Sequence, residues 1–301
     1  MLQRTLRHTY TFEGKGLHTG VHSTMRICPA PENTGVRFKR VDLGEEYIEA
    51  IAENVSGTAR STTISNGRAE VHTIEHVLSA LTGMGVDNAL VELDAPETPI
   101  LDGSASLYVK AFAQDGLQEQ NAERKYLRPS ETIELHDEKS GAWVKIEPAD
   151  RLSYDIEIDF GSRVLGVQTA HWDESVPYDR EIGICRTFVF FHEIEYLFAN
   201  NLIKGGDVDN AIVIVEHPVS DEQLQRMSAS LDKPALKVDS DGYLDNLKLH
   251  FPNECGRHKL LDLIGDLRLC GGFLQAKVTA FKPGHTINTK TAKAFCESLK
   301  K

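Results

Sequence analysis

A cationic surplus, a secretory leader, a membrane-length apolar run and paired cysteines are all missing from this sequence. Lys and Arg number 33 against 45 Asp and Glu, for a net charge of −12. That balance speaks against a nucleic-acid binder, since phosphate neutralisation needs basic surface. It still permits one local basic pocket for a phosphorylated small molecule. Nothing approaches the ~18–20 apolar residues of a membrane-spanning helix. The opening Met1-Leu2-Gln3-Arg4-Thr5-Leu6-Arg7 carries charge without a following apolar stretch, so no signal peptide is expected and a cytoplasmic location is. Cys28, Cys185, Cys255, Cys270 and Cys296 are scattered, with no C-x-x-C pair, which suits a reducing cytosol and argues against a disulfide scaffold or a cysteine-rich zinc site. No G-x-S-x-G elbow occurs, and Gly14-x-Gly16-x-x-x-Gly20 misses the dinucleotide fingerprint by one residue. A serine hydrolase and a nicotinamide-dependent dehydrogenase therefore have no support.

What is present is ordinary globular material. With 301 residues, 41% apolar and 26% charged, the chain can bury a large core without a staple, and its length suits about two domains. Strand-like alternation marks Val21–Ile27, Val36–Lys39 and Tyr154–Phe160; an apolar strand fits Ala89–Leu93, and others fit Ala211–Val215 and Phe273–Phe281. Apolar residues at helical spacing predict helices over Thr73 to about Gly83, about His192–Asn201 and about Arg257–Leu269. The polar run from Gln118 to Lys125 breaks the pattern and suggests a division into 1–122 and 123–301. Val86-Asp87-Asn88-Ala89-Leu90-Val91 is echoed by Val208-Asp209-Asn210-Ala211-Ile212-Val213, consistent with two related halves. Strands cluster before helices in both, so the expected class is α+β, each half a β-sheet with helices.

Two segments could carry chemistry. In His258-Lys259-Leu260-Leu261-Asp262, the histidine and aspartate stand one helical turn apart on one face, where both can reach a divalent ion. The same spacing also fits the polar edge of an amphipathic helix. In His72-Thr73-Ile74-Glu75-His76 the pattern is H-x-x-E-H, the inverted zinc-protease motif. Zinc catalysis usually needs three protein ligands and a nearby base. One assembly takes His76, His258 and Asp262 with Glu75 as base; another takes His72 and His76 with an unidentified acidic third ligand. Local spacing does not decide between them.

The wider set of motifs points one way. Gly16-Leu17-His18-Thr19-Gly20, Thr73-Ile74-Glu75-His76, Pro99-Ile100-Leu101-Asp102-Gly103-Ser104, Arg186-Thr187-Phe188, Gly205-Gly206, His258 to Asp266 and Gly284-His285 together resemble the UDP-3-O-acyl-N-acetylglucosamine deacetylases. These are zinc enzymes of lipid A synthesis in Gram-negative bacteria. The resemblance runs from about residue 3 to about residue 295, with the motifs in family order. It implies two similar α+β halves, helices packed between the two sheets, and one Zn²⁺ at their junction, removing the N-acetyl group of an acylated UDP-sugar as acetate. It implies His76, His258 and Asp262 as metal ligands, which leaves His72 outside the set. By the same resemblance Glu75 is the base, Thr187 an oxyanion donor, His285 the acid held by Asp266, and Lys259 a positive charge near the polar head. Phe188, Phe191, Ile194, Ile203, Gly206 and Val208 correspond to an acyl passage, and Phe160 and Lys282 to the uridine diphosphate end. A protease and a non-catalytic protein keeping the fold are the alternatives; retention of the whole set of catalytic residues argues against the second.

Overall fold

The computed structural model describes residues 1–44, 46–194, 204–230 and 233–300. Two five-stranded sheets share one topology. The first runs in the order Tyr10–Lys15, His22–Pro29, Ala89–Leu93, Val36–Arg40, Tyr47–Glu49. The second runs Ile133–Asp137, Ala142–Pro148, Ala276–Phe281, Ser153–Asp159, Val167–Asp173. In each, the third strand is antiparallel to the second and parallel to the fourth. Each third strand arrives last in its sheet, after a crossover that carries a helix, as a parallel pairing requires. Those helices are Glu75–Met84 and Glu254–Leu267. The α+β class with two sheet-and-helix halves therefore holds.

The two helices meet in the middle of the molecule. Every residue from Glu75 to Thr82 is buried, and so is nearly all of the second helix. Gly265 makes the contact possible: a Cβ there would sit 2.1 Å from the carbonyl oxygen of Glu75, so any side chain would force the helices apart. One continuous apolar core includes inward-facing residues of both sheets, among them Ile27, Val91, Ile146 and Val278. Helix His285–Ser298 packs on the Glu254–Leu267 helix and on the strands at 133–148.

Between the fifth strand and the crossover helix each half carries an insertion. The first is a small sheet of Val55–Gly57, Thr63–Ser65 and Glu70–Val71. The second holds the parallel pair Phe188–Phe190 and Ile212–Ile214, followed by helix Asp221–Ser230. Phe191, Val208, Val213, Leu224 and Met227 form a separate apolar cluster beneath it.

Some expectations change. The polar run after Gln118 does not interrupt the strand pattern: most of it belongs to strand Leu117–Glu123, whose exposed face accounts for its composition and which pairs antiparallel with Leu2–Leu6. The stretch 273–281 is two strands, because Gln275 turns aside to donate its N–H to Leu127. The echo between Val86 and Val208 does not relate equivalent positions. Ala89–Leu93 is central in its sheet, and its counterpart in the other half is Ala276–Phe281, whereas Ile212–Ile214 lies in the two-stranded insertion. The helix expected over 192–201 is seen at residues 191–194, and the rest of it lies outside the described residues.

Candidate metal centre and active site

His258 and Asp262 project from one face of their helix, and the close approach at Gly265 sets that face against the first turn of the helix bearing His76. The ligating atoms of these three buried residues lie within 4.8 Å of one another. Asp262 Oδ1 is 3.4 Å from His258 Nε2 and 3.8 Å from His76 Nε2. That oxygen is buried and accepts no hydrogen bond, while Oδ2 accepts one from Lys259 Nζ at 2.8 Å. His258 Nδ1 sits 3.1 Å from the Cys185 carbonyl, which makes Nδ1 the protonated nitrogen and leaves the Nε2 lone pair facing the cluster. Burial lowers the pKa of His76 to about 3, with further lowering from His258. Burial lowers that of His258 as well. Two neutral imidazoles and an unsatisfied carboxylate oxygen make a donor set that suits a divalent metal ion. Among the described residues it is the only such grouping of three.

A second polar cluster adjoins it. Glu75, the first residue of its helix, is buried, and its Oε1 lies 3.8 Å from His285 Nε2. Burial raises the Glu75 pKa to about 7; His285 opposes this, and Asp266 and Asp262 add to it. His285 Nδ1 is 2.9 Å from Asp266 Oδ2, which also accepts from Asn288 Nδ2 at 2.9 Å. Burial alone would lower His285, yet the carboxylates of Asp266 and Glu75 lift it to about 9. Its imidazolium is therefore the stable form at neutral pH. A base near neutrality and a charged histidine, placed side by side beside a metal-ligand set, can take up one proton and deliver another.

Next to these groups a cavity of about 620 Å³ runs along the second insertion, and the ring of Phe188 in its wall lies 6.4 Å from that of His258. Lys259, Thr187 and Phe188 are in its wall, and Lys259 Nζ lies 5.6 Å from the centre of the Phe188 ring. Phe190, Ile194, Gly206, Val208, Val213 and Met227 line the rest. Phe160, about half exposed, leans on Phe188 and Phe190 with ring centroids 5.5 and 5.7 Å apart. His18, Arg60, Lys204, Glu193 and Asp207 also border the cavity, giving it a polar margin of mixed charge.

Other expected residues fall elsewhere. His72 Nδ1 contacts Thr63 Oγ1 at 2.9 Å and Nε2 contacts Glu70 at 3.1 Å, so both nitrogens point away from the ligand set. Phe191 packs into the insertion's core and does not line the cavity. Lys282 pairs with Asp159 at 3.2 Å, one residue from Phe160, outside the cavity lining. Ile203 lies outside the described residues. Of the glycine pair, Gly205 is the one that backbone packing demands, because a Cβ there would lie 1.8 Å from Gly16 O. At Gly206 a Cβ would meet only Leu17 Cδ1 at 3.7 Å, so that position is open toward the cavity.

Several contributors carry no local signal in the sequence. Asn288 and the Cys185 carbonyl are examples, being far in sequence from the groups they hold. Glu97 is another: its buried carboxylate accepts from the N–H groups of His18 and Thr19 and from the hydroxyls of Thr19 and Thr73. It thereby ties the Gly16–Gly20 segment to the entry of the Glu75–Met84 helix. Thr73 has φ +59°, a left-handed backbone that this bond and one from Thr98 to its carbonyl hold in place. Arg186 forms a buried pair with Glu254 at 2.9 Å, which anchors the segment that carries Thr187, just before strand Phe188–Phe190.

A family profile described as UDP-3-O-acyl N-acetylglycosamine deacetylase matches residues 3–231 and 225–297. A Porphyromonas gingivalis protein named bifunctional enzyme LpxC/FabZ is 42% identical over 299 residues, covering 99% of this chain and 65% of that protein. A Bacteroides thetaiotaomicron protein of the same name is 40% identical over the same shares. A Thioalkalivibrio sulfidiphilus protein named UDP-3-O-acyl-N-acetylglucosamine deacetylase is 38% identical over 292 residues, covering 96% of this chain and 88% of that protein. The chain thus spans 65% of the length of the bifunctional relatives.

Proposed function

We infer that this chain, which belongs to the UDP-3-O-acyl N-acetylglycosamine deacetylase family, hydrolyses the N-acetyl amide of a UDP-3-O-acyl-glucosamine and releases acetate in lipid A biosynthesis. The observation that carries the reading is the unsatisfied Asp262 Oδ1 facing two histidine nitrogens beside the Glu75–His285 pair. His76, His258 and Asp262 would hold zinc, the ion that suits two imidazoles and a carboxylate with a position left for substrate. Zinc bound there supplies Lewis acidity and brings the pKa of water toward neutrality.

The remaining work falls to the chain. Glu75 takes a proton from the attacking water. Thr187 in the cavity wall donates its hydroxyl to the developing oxyanion. His285, charged and braced by Asp266, gives a proton to the departing amine. Lys259 holds Asp262 in place and contributes positive charge at the mouth of the acyl cavity. Phe160 and Lys282, joined through Asp159, take the uridine diphosphate end. We place the junction of two domains at 122/123, by the end of strand Leu117–Glu123, which pairs with Leu2–Leu6 and after which Tyr126–Leu127 pairs with Phe273–Leu274. A cytoplasmic setting fits five free cysteines and the absence, among the described residues, of a helix long and apolar enough to cross a membrane. Acetate release from the acylated UDP-sugar, lost with a chelator and regained with zinc, tests the reading. A protein with stoichiometric zinc and no acetate release would refute it.

The acid role sets a pH dependence. A group whose charged form is active is lost as pH rises through its pKa, so kcat/KM should fall above about pH 9. His285→Gln should retain metal, lower the rate about 10²-fold or more, and abolish that basic limb in a pH–rate series.

The acyl cavity predicts a length-dependent variant. Each buried methylene is worth about 0.8 kcal/mol at most, so a long chain contributes several orders of magnitude to kcat/KM. Gly206→Met has room at its Cβ and would fill the cavity, so it should depress long-acyl turnover far more than short-acyl turnover. Equal losses on both substrates, with a lowered melting temperature, would instead mark the region as packing alone.

A further inference from the structure

Thr62 belongs to no motif, yet it is fully buried where the two halves meet. It follows the exposed 58–60 loop of the first insertion and opens onto strand Thr63–Ser65. Its Oγ1 donates to Asp266 Oδ1 at 2.6 Å and lies 3.2 Å from His285 Nδ1. Its backbone N–H donates to Glu75 Oε2 at 3.1 Å. One residue therefore touches the base, the acid and the carboxylate that braces the acid.

The geometry points to Thr62 as a positioning residue that holds Asp266 and Glu75 in register with His285. This rests on the deacetylase reading for its catalytic meaning, but the lock itself is a matter of hydrogen bonds. Asp266 has two oxygens: Oδ2 serves His285 and Asn288, and Oδ1 has the Thr62 hydroxyl. Without that hydroxyl, a buried carboxylate oxygen loses a charge-assisted bond, and the carboxylate is free to turn away from Nδ1. His285 also feels Glu75 and His76 from the first helix, Asp262 and His258 from the second, and His18 from the Gly16–Gly20 segment. None of these hydrogen-bonds its Nδ1, so among the described residues Asp266 and Thr62 fix the ring's far side. The Thr62 N–H, by holding Glu75 Oε2, leaves Oε1 toward His285 Nε2. The loop's own anchor, Thr58 Oγ1 at 2.8 Å from Thr286 Oγ1, ties the segment to the start of the helix bearing His285.

The test compares Thr62→Val, isosteric but without the hydroxyl, with Thr62→Ser, which keeps it. In the wild type and in Thr62→Ser, the hydrogen-bonded Nδ1–H proton of His285, assigned by its loss in His285→Gln, should appear far downfield in the NMR spectrum. In Thr62→Val it should move upfield or broaden away. The same variant should keep its metal and KM but lose about tenfold in kcat, with the serine variant restoring it. If Thr62→Val melts too low to measure, Thr62→Ala carries the comparison. An unchanged Nδ1–H signal in the valine or alanine variant, or a serine variant that fails to restore it, overturns the proposal. The NMR result needs no turnover, so a wild type that released no acetate would refute the deacetylase reading while leaving the lock to be judged on its own.

Discussion

Asp262→Ala should purify without a stoichiometric divalent metal, and its turnover should fall to the background of metal-free protein. Asp262 Oδ1 is the shared neighbour of both histidine Nε2 atoms, and nothing else in the cluster satisfies it. Removing the carboxylate also strips Lys259 of its partner at 2.8 Å, leaving an ammonium beside two imidazoles and repelling a cation further. His76→Ala and His258→Ala should lose metal likewise, since two ligands rarely hold zinc against solution competitors. His72→Ala is the control. Its nitrogens already serve Thr63 and Glu70, so metal content and turnover should stay near wild type. Elemental analysis of the four purified variants, with acetate release measured beside it, gives the answer. Zinc lost from His72→Ala but retained by Asp262→Ala would transfer the site to the H-x-x-E-H assembly.

How far the sequence carries this site depends on the range of each interaction. The His258–Asp262 pair is legible because a helix puts i and i+4 on one face, and burial of Leu260, Leu261, Leu263 and Ile264 makes that helix unambiguous. Which histidine completes the set is not legible locally, because the partner comes from a helix about 180 residues away, brought near by Gly265. Thr62, Asn288 and Glu97 escape for the same reason: each is an ordinary polar residue until the fold gives it a carboxylate or a donor. The fold class is read from strand clustering, which is a local property. The two-half symmetry is real, but the Val86 and Val208 match misidentifies it. Equivalent strands such as Ala89–Leu93 and Ala276–Phe281 share burial and direction rather than residue identity, so sequence similarity is a poor guide to which strand corresponds to which. Strand Leu117–Glu123 is not legible as a strand because an exposed edge pairs by backbone alone and needs few apolar side chains.

Glu75→Gln should separate chemistry from metal binding more sharply than any other single change. The amide is isosteric and can still accept the Thr62 N–H through its oxygen, so the helix start and the neighbouring His76 should remain in place. What it loses is the capacity to accept a proton. Metal content should therefore stay stoichiometric and the melting temperature should hold or rise, since burial of a carboxylate that resists ionisation gives way to a neutral group. Turnover should fall by about 10²- to 10⁴-fold, the scale of lost general-base catalysis. KM should change little, because Glu75 is not among the residues lining the acyl cavity. His285 should respond too. Glu75 is one of the carboxylates that lift its pKa to about 9, so the basic limb should move to lower pH in the variant even though Asp266 remains. Two measurements on one protein then test two assignments. A rate within a few-fold of wild type would remove Glu75 as the base, and an unmoved basic limb would show that His285 is not the group titrating there.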